Sequence, residues 1–327
     1  MGTGKSLLNA SSKTILTLLI LIAAASVTVA QPAPRNQFIN ILTATTGGVF
    51  YPLGGVLSNS FAAKIPGSRP SVQATKGSVE NLNLLQQGKA EIAFVQADSV
   101  VFAWAGDADA GFKTKFDKLR GIAALYTSFV QIVATSESGI KTLADLKGKR
   151  LSVGPHQSGT ELTTRAFLKA AGIRYEDLAK VEYRSFSDSV DLMKNRLLDA
   201  TLQTAGLGAP TLIEFANAFS VNVVEIPPEF VDRVGIPYIR AVIPKGTYRG
   251  QNDDIRSAGL PNFLVTRADI SADLVYNMTR AVFESTAELS AAHPAAAGIT
   301  LEHALDGMPI PLHPGAQKFF KEKALIK

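Results

Sequence analysis

The sequence of 327 residues contains no cysteine. Disulfide bonds and lipid attachment through an N-terminal cysteine are therefore excluded, and the fold has to be stabilised by its apolar core. Lysine and arginine are scattered without a long run, and the formal net charge is only +5. Nucleic-acid binding needs cations clustered on one face, so we expect no nucleic-acid partner.

Catalytic and metal-binding motifs are also scarce. Three of the four histidines, His293, His303 and His313, lie near the C-terminus without an HExxH pattern or a neighbouring cysteine. Ser158 lacks the G-x-S-x-G pattern of hydrolases, although His156 stands two residues before it. The sequence therefore predicts no metal, no cofactor and no enzyme. A periplasmic hydrolase that uses Ser158 and His156 is kept as a disfavoured alternative.

The first 30 residues have the pattern of a cleaved signal peptide. Lys5 and Lys13 precede an apolar run from Ile15 to Ala30, and polar, proline-rich sequence begins at Gln31. This run of 16 residues is short for a stable membrane span. We therefore expect cleavage after about Ala30 and export to the periplasm. The mature chain then has a net charge of +3, because two lysines and no acidic residue are removed from a total of +5.

Short apolar segments alternate with helix-like segments along the mature chain. One series runs from FINIL at 38–42 to GIAALY, which ends at Tyr126, and a second series of the same kind begins with QIVAT near Gln131. Such alternation is typical of an α/β sheet with helices on both faces. We predict an α/β fold of two lobes with a central ligand cleft. The first lobe comprises residues 31–126 and 238–327, and the second lobe comprises residues 127–237.

Four element boundaries are predicted in the C-terminal part. Ile243-Pro244 and Leu260-Pro261 mark the ends of elements, because the residue before a proline is biased away from helical backbone. A single long helix is expected from Ser271 to near Ala292, with Ser271 as its N-cap.

Small hydroxyl and amide residues follow the predicted strands, where loops become helix N-termini. Ligands of open α/β sheets bind at this edge, and helix N-termini supply N–H donors and partial positive charge to an anion. Such residues are ordinarily caps, and Lys76, Tyr51 and Tyr126 could equally be solvated or structural. Four loops that face one cleft nevertheless favour a carboxylate site. The candidates are Thr45, Thr46, Gly47, Gly48 and Tyr51; Thr75, Lys76, Gly77, Ser78 and Asn81; Gln96, Asp98 and Ser99; Tyr126; and His156, Ser158, Gly159 and Thr160.

Four stretches resemble the TAXI family of solute-binding proteins, the receptors of tripartite ATP-independent periplasmic (TRAP) transporters. They are TTGGVFYPLGG, QATKGSVENLNLLQQGKAEIAFVQAD, SGIKTLADLKGKRLSVGPHQSGTEL and PLHPGAQKFFKEK. The resemblance runs from about Phe38 to the C-terminus. It implies a type II periplasmic binding-protein fold, a small organic anion such as glutamate, a related amino acid or a dicarboxylate, and a TRAP permease as the membrane partner.

The resemblance also implies which loops hold the ligand. By motif position these are residues 45–51, which include Val49, residues 75–78 with Asn81, Gln96 with Asp98, and residues 158–160. The loop Ala205–Gly208, which contains Gly206, is placed to face the cleft as well. Lys76 departs from the small residue expected in many relatives, so it either meets a second carboxylate or lies in solvent. Another alternative keeps the fold but assigns the receptor to an ATP-driven (ABC) importer of a different organic anion, such as an aromatic, sulfonated or thiamine-like compound.

Overall fold

The computed structural model describes residues 37–327, so the predicted signal peptide lies outside the described residues. Short apolar runs form strands that alternate with helices, as the sequence pattern predicts, and the strands of this part join one mixed sheet. The strands are β1 (Gln37–Leu42), β2 (Ser68–Gln73), β3 (Ile92–Gln96), β4 (Leu119–Thr135), β5 (Arg150–Ser152), β6 (Lys180–Glu182), β7 (Ala200–Ala205), β8 (Val221–Val224), β9 (Ile239–Ile243) and β10 (Ile255–Arg267).

The helices are mostly three turns long or less. Among the described residues, none is long and apolar enough to cross a membrane. The α-helices are α1 (Phe50–Lys64), α2 (Ser78–Gln86), α3 (Ala97–Ala105), α4 (Gly159–Ala170), α5 (Phe186–Lys194), α6 (Pro210–Ala218), α7 (Pro228–Val234), α8 (Ala272–Phe283), α9 (Thr286–Ala292) and α10 (Pro314–Glu322), with 3-10 turns at Ser136–Ser138, Ala144–Leu146, Tyr175–Asp177 and Pro294–Gly298.

The strand order is β2-β1-β3-β10-β4-β7-β5-β6, with β8 beside β4 and β9 beside β10. Strands β1, β2 and β3 are parallel to one another, and so are β5, β6 and β7. We call the part built on β1–β3 the first lobe and the part built on β5–β7 the second lobe. The long antiparallel strands β4 and β10 connect them. The exact lobe boundaries given above stay a prediction.

Strand β4 corrects the expectation of two separate strands. The sequence predicted two strands, GIAALY and QIVAT, but the chain forms one strand of 17 residues. Residues 119–129 pair with β10, and residues 129–134 pair with β7. The strand therefore stays hydrogen-bonded throughout because its two ends have different partners, which local sequence does not reveal.

The position of Pro261 corrects the expectation that an element ends before this proline. Strand β9 does end at Ile243, before Pro244, but Leu260-Pro261 lies inside β10 rather than at its end. The register against β4 shifts between Pro261 and Phe263, which accommodates a residue that has no N–H to donate. The side chain of Asn262 donates to the Tyr126 carbonyl at 2.8 Å and so supports the irregular ladder.

The predicted long helix is two helices, α8 and α9. Its N-cap is confirmed, since Ser271 Oγ accepts from the Leu274 N–H at 3.1 Å. The helical backbone is interrupted near Ser285, whose hydroxyl lies 2.7 Å from Ser60 Oγ on α1. A tertiary hydrogen bond therefore accompanies the interruption of a segment whose apolar spacing by itself favours one helix.

Both faces of the sheet are covered. Every residue of β3 is buried, with Ile92 and Phe94 in the core that includes α1, and Ala93 and Val95 in the core on the other face. A strand that is apolar on both faces is typical of parallel sheets between helical layers. Ligand access is therefore left to the carboxyl ends of the strands, where the loops lie.

Candidate ligand-binding cleft

A pocket lies where the carboxyl ends of strands in the two lobes face each other. The space between its atoms is about 460 Å³ when open solvent is included, and about 40 Å³ of it is accessible to the centres of water molecules. The loops after β1 and β2 and the end of β3 form the first lobe's side, and the loops after β5 and β6 and the end of β7 form the second lobe's side. Tyr126 and Ser128 of β4 lie between them. Of the residues predicted from the sequence, those brought together here are Thr45, Gly48, Val49, Lys76, Gly77, Gln96, Tyr126, Ser158, Gly159, Thr160 and Ala205.

Several predicted residues lie outside the pocket and position its loops. Asn81 donates to the backbone carbonyl of Thr43 at 2.6 Å and to that of Phe94 at 2.8 Å, and the hydroxyl of Thr75 donates to its amide oxygen at 2.7 Å. Ser78 Oγ accepts from the Gln96 N–H at 3.0 Å. These side chains fix the loops through internal hydrogen bonds and have no contact with the pocket space.

Gly47 and Gly206 also lie outside the pocket, at contacts between the lobes. A Cβ at Gly47 would come 2.6 Å from Ser187 Oγ, and one at Gly206 would come 2.5 Å from the Cβ of Ala295. Their lack of a side chain therefore permits the close approach. Thr46 and Tyr51 are exposed to solvent and do not line this pocket, so their contact with a ligand stays a prediction.

Asp98 is fully buried behind the pocket. Its carboxylate accepts from the Tyr238 hydroxyl at 2.7 Å, from Thr163 Oγ1 at 3.2 Å and from the Ser99 N–H at 2.6 Å. Burial raises the pKa of Asp98 although these hydrogen bonds lower it. Since Thr163 belongs to the second lobe, Asp98 joins the lobes rather than binding in the pocket.

Sequence reasoning missed five lining residues. Phe186 follows a strand and the N-cap Ser185, and Thr204 lies at the end of β7, so the rule used for the other loops could have found both. Ser128 lies within β4, where no local signal marks it. The missed residues are Ala44, Ser128, Pro155, Phe186 and Thr204, whereas Phe50 lies within the predicted loop 45–51.

Four helices begin at the pocket, two from each lobe. The starts of α1 and α2 lie at Val49 and Gly77, and those of α4 and α5 at Ser158 and Phe186. The first N–H groups of a helix have no acceptor within it, and they carry the positive end of its dipole. The pocket is thus surrounded by backbone donors.

The charges of the lining residues agree with these dipoles. None of them is acidic, and Lys76 supplies a cation from an exposed position. Burial raises the pKa of the Tyr126 hydroxyl, which keeps that group neutral. A site with several donors and no carboxylate stabilises an anion.

Two polar side-chain atoms at the pocket have no hydrogen-bond partner within residues 37–327. Gln96 is only 4% exposed; its Nε2 donates across the cleft to the Thr204 carbonyl at 3.3 Å, while its Oε1 is unpaired. The hydroxyl of Thr204 is also unpaired. Buried polar atoms nearly always have partners, so these two indicate where a ligand binds.

The geometry does not assemble the hydrolase pair. The Ser158 hydroxyl donates to the Pro155 carbonyl at 2.7 Å and accepts from the Glu161 N–H at 3.1 Å, which is the arrangement of an N-cap. The His156 ring instead stacks on Tyr183, with ring centroids 3.6 Å apart. Ser158 therefore forms the start of α4 rather than a nucleophile held by His156.

Comparison with known proteins identifies the family of the chain. A sequence model described as the NMT1-like family matches residues 41–324, which is most of the chain. The chain belongs to the NMT1-like family.

Several solved structures resemble this chain. PhnD1 from Prochlorococcus marinus, in complex with methylphosphonate, is 10% identical with a TM-score of 0.55 over 89% of this chain and 100% of that chain. A periplasmic transporter is 11% identical with a TM-score of 0.55 over 89% and 93%. A putative L-cystine ABC transporter protein from Listeria monocytogenes is 16% identical with a TM-score of 0.49 over 82% and 98%. The predicted two-lobed α/β binding-protein fold is confirmed.

Membership of the NMT1-like family contradicts the assignment to the TAXI family. The motifs behind that assignment are glycine loops at strand ends and helix caps. Such features follow from this fold wherever it binds a ligand, so they carry less information about the transporter than about the cleft. The likeness to solved structures at 10% to 16% identity shows the fold alone. The role of a solute receptor, with the alternative of a binding protein of an ABC importer, stays a prediction.

Proposed function

We propose that the protein is an exported, non-catalytic solute-binding protein that closes on a small organic anion and presents it to the membrane permease of an ABC importer. The observation that carries the proposal is the convergence of four helix N-termini from both lobes on a pocket without an acidic residue. The unpaired Gln96 Oε1 and Thr204 Oγ1 independently support a ligand at this place.

Contacts between the lobes supply the means of closure. The Glu80 N–H donates to the Gln157 carbonyl at 3.0 Å, and Gln96 Nε2 donates to the Thr204 carbonyl. A ligand that touches both lobes binds the closed state more strongly than the open one and shifts the population towards it. The closed state then offers a permease a surface that the open state lacks.

Thermal unfolding of the mature protein tests the binding. After removal of any copurified molecule by unfolding and refolding, we expect a carboxylate, phosphonate or sulfonate in a panel to raise the Tm, because a ligand at 100 times its Kd adds about 2.7 kcal/mol to stability. Lys76→Ala should weaken that binding severalfold, while the exposed Lys147→Ala, away from the pocket, should leave it unchanged. A panel without effect, together with no anion released from the purified protein, contradicts the proposal.

The importer class needs a separate experiment. Uptake of the bound solute by membrane vesicles that contain the permease encoded beside this protein should require ATP. It should persist when ion gradients are collapsed. Uptake that depends on an ion gradient and not on ATP would reject the ABC assignment without touching the binding function.

A further inference from the structure

The unpaired oxygen of Gln96 restricts the ligand beyond its charge. Because Gln96 Nε2 is directed at the Thr204 carbonyl, the other end of the amide presents Oε1, which can only accept a hydrogen bond. The oxygens of a carboxylate also only accept. A simple carboxylate therefore leaves Oε1 buried and unpaired, whereas a ligand with its own donor group satisfies it.

The position of this acceptor locates that donor on the ligand. Gln96 Oε1 lies against Gly159, where a Cβ would be only 1.9 Å away. Gly159 is the first residue of α4, whose amides are donors for the carboxylate. The acceptor and the anion site are therefore adjacent, and a donor on the carbon next to the carboxylate reaches Oε1.

The charges of the pocket distinguish a hydroxyl from an ammonium group. No lining residue is acidic, and the converging helix N-termini and Lys76 are positive. An ammonium group here meets repulsion and no counter-ion. A neutral hydroxyl donates to Oε1 without that cost.

The pocket also has apolar walls, which come from both lobes and lie among polar residues such as Thr45, Ser128 and Thr160. Phe50 and Tyr126 stand in the first lobe with ring centroids 6.3 Å apart, and Phe186 belongs to the second. Ala44, Val49 and Pro155 add further apolar surface. These apolar side chains suit a compact hydrocarbon group on the ligand.

Resting on the proposed function, we propose that the solute is a 2-hydroxy monocarboxylate with a compact apolar side chain, and that Gln96 selects it by accepting its hydroxyl hydrogen. The rival ligands are the 2-amino acid of the same skeleton, the acid that lacks the hydroxyl, and dicarboxylates.

Calorimetry with compounds of matched skeleton tests the proposal. For the wild-type mature protein, freed of copurified ligand, we expect 2-hydroxy-4-methylpentanoate to bind about tenfold or more tightly than 4-methylpentanoate, because the latter leaves Oε1 unpaired. Leucine, malate and succinate should also bind more weakly than 2-hydroxy-4-methylpentanoate. Gln96→Met, which keeps the length but removes the acceptor, should reduce the preference for the hydroxyl to about threefold or less. The exposed Gln87→Met is the control and should preserve it.

Each result decides the point. Equal binding of the two pentanoates, or tighter binding of leucine, malate or succinate, overturns the inference while an anion-binding function stands. If none of these compounds binds, mass spectrometry of the anion released on unfolding decides: a 2-hydroxy monoacid supports the inference, and another anion overturns it. The absence of any bound anion and of any binding across carboxylates, phosphonates and sulfonates rejects the proposed function as well. The wild-type comparison holds even if Gln96→Met fails to fold.

Discussion

At the scale of single residues, Gly159 shows how close the lobes come. The Cβ of any other residue here would overlap Gln96 Oε1 from the opposite lobe. Glycine is thus required by the closed cleft rather than by local backbone, because α4 would accept alanine at its first turn. The absence of a Cβ at Gly159 therefore lets α4 lie against the Gln96 side chain in the closed cleft.

We expect Gly159→Ala to reduce ligand affinity by about tenfold or more, since closure must displace Gln96. The stability of the ligand-free protein should fall little, because the open cleft relieves the contact. Isothermal calorimetry and thermal unfolding measure the two effects. Gly55→Ala is the control, as a Cβ there meets nothing within 4 Å. Unchanged affinity in Gly159→Ala would show that the lobes do not close in this way.

At the scale of the element, the buried histidines of the C-terminal part act as helix caps. His313 Nδ1 accepts from the Gly315 N–H at 3.1 Å at the start of α10, and His293 Nδ1 accepts from the Ala295 N–H at 3.1 Å at the start of a 3-10 turn. Burial lowers the pKa of both rings from the ordinary value of 6.5. Their clustering near prolines therefore reflects the starts of helical segments.

These caps predict a loss of stability in acid. A pKa that is lower in the folded state means that the unfolded chain binds more protons, so the histidines' contribution is present above pH 6.5 and is lost as the pH falls below it. Urea unfolding between pH 7.5 and about pH 5 should show this decline. His313→Asn, which can still cap α10, should flatten it, whereas the exposed His303→Asn should not. An unchanged slope in His313→Asn would contradict the assignment.

Element boundaries show where local sequence is sufficient. The N-cap at Ser271 and the strand end at Ile243 follow from hydroxyl capping and from the steric effect of proline, which are properties of neighbouring residues. The continuity of β4 and the position of Pro261 inside β10 depend on which strands lie alongside. The same proline rule therefore succeeded at one site and failed at the other.

At the scale of the whole molecule, Asp98 connects the lobes. It belongs to α3 of the first lobe and accepts hydrogen bonds from Thr163 on α4 of the second lobe and from Tyr238 before β9. Burial raises the pKa of Asp98 above the ordinary value of 3.8. The folded state consequently binds a proton that the unfolded chain has already released.

The pH dependence that Asp98 gives to the free energy of unfolding is opposite in direction to that of the histidines. The contribution of Asp98 to stability is largest when it is protonated and declines as the pH rises above 3.8 through the raised pKa. Asp98→Asn should remove this decline, so the stability of the variant relative to wild type should increase between pH 4 and pH 7 in urea unfolding. Asp188→Asn, on an exposed first turn of α5, should show no such trend. A constant difference for Asp98→Asn would refute the linkage.

The sequence by itself predicted the α/β alternation, the two-lobed fold and the glycine, hydroxyl and amide residues of the strand-end loops. The first two follow from apolar periodicity and from such residues before helices, which act within a few residues. Only the tertiary structure decided that Ser128, Phe186 and Thr204 line one pocket, and that Asn81 and Asp98 hold its walls instead. These residues are far apart along the chain, and the pairing of β4 and β10 and the approach of the lobes bring them together.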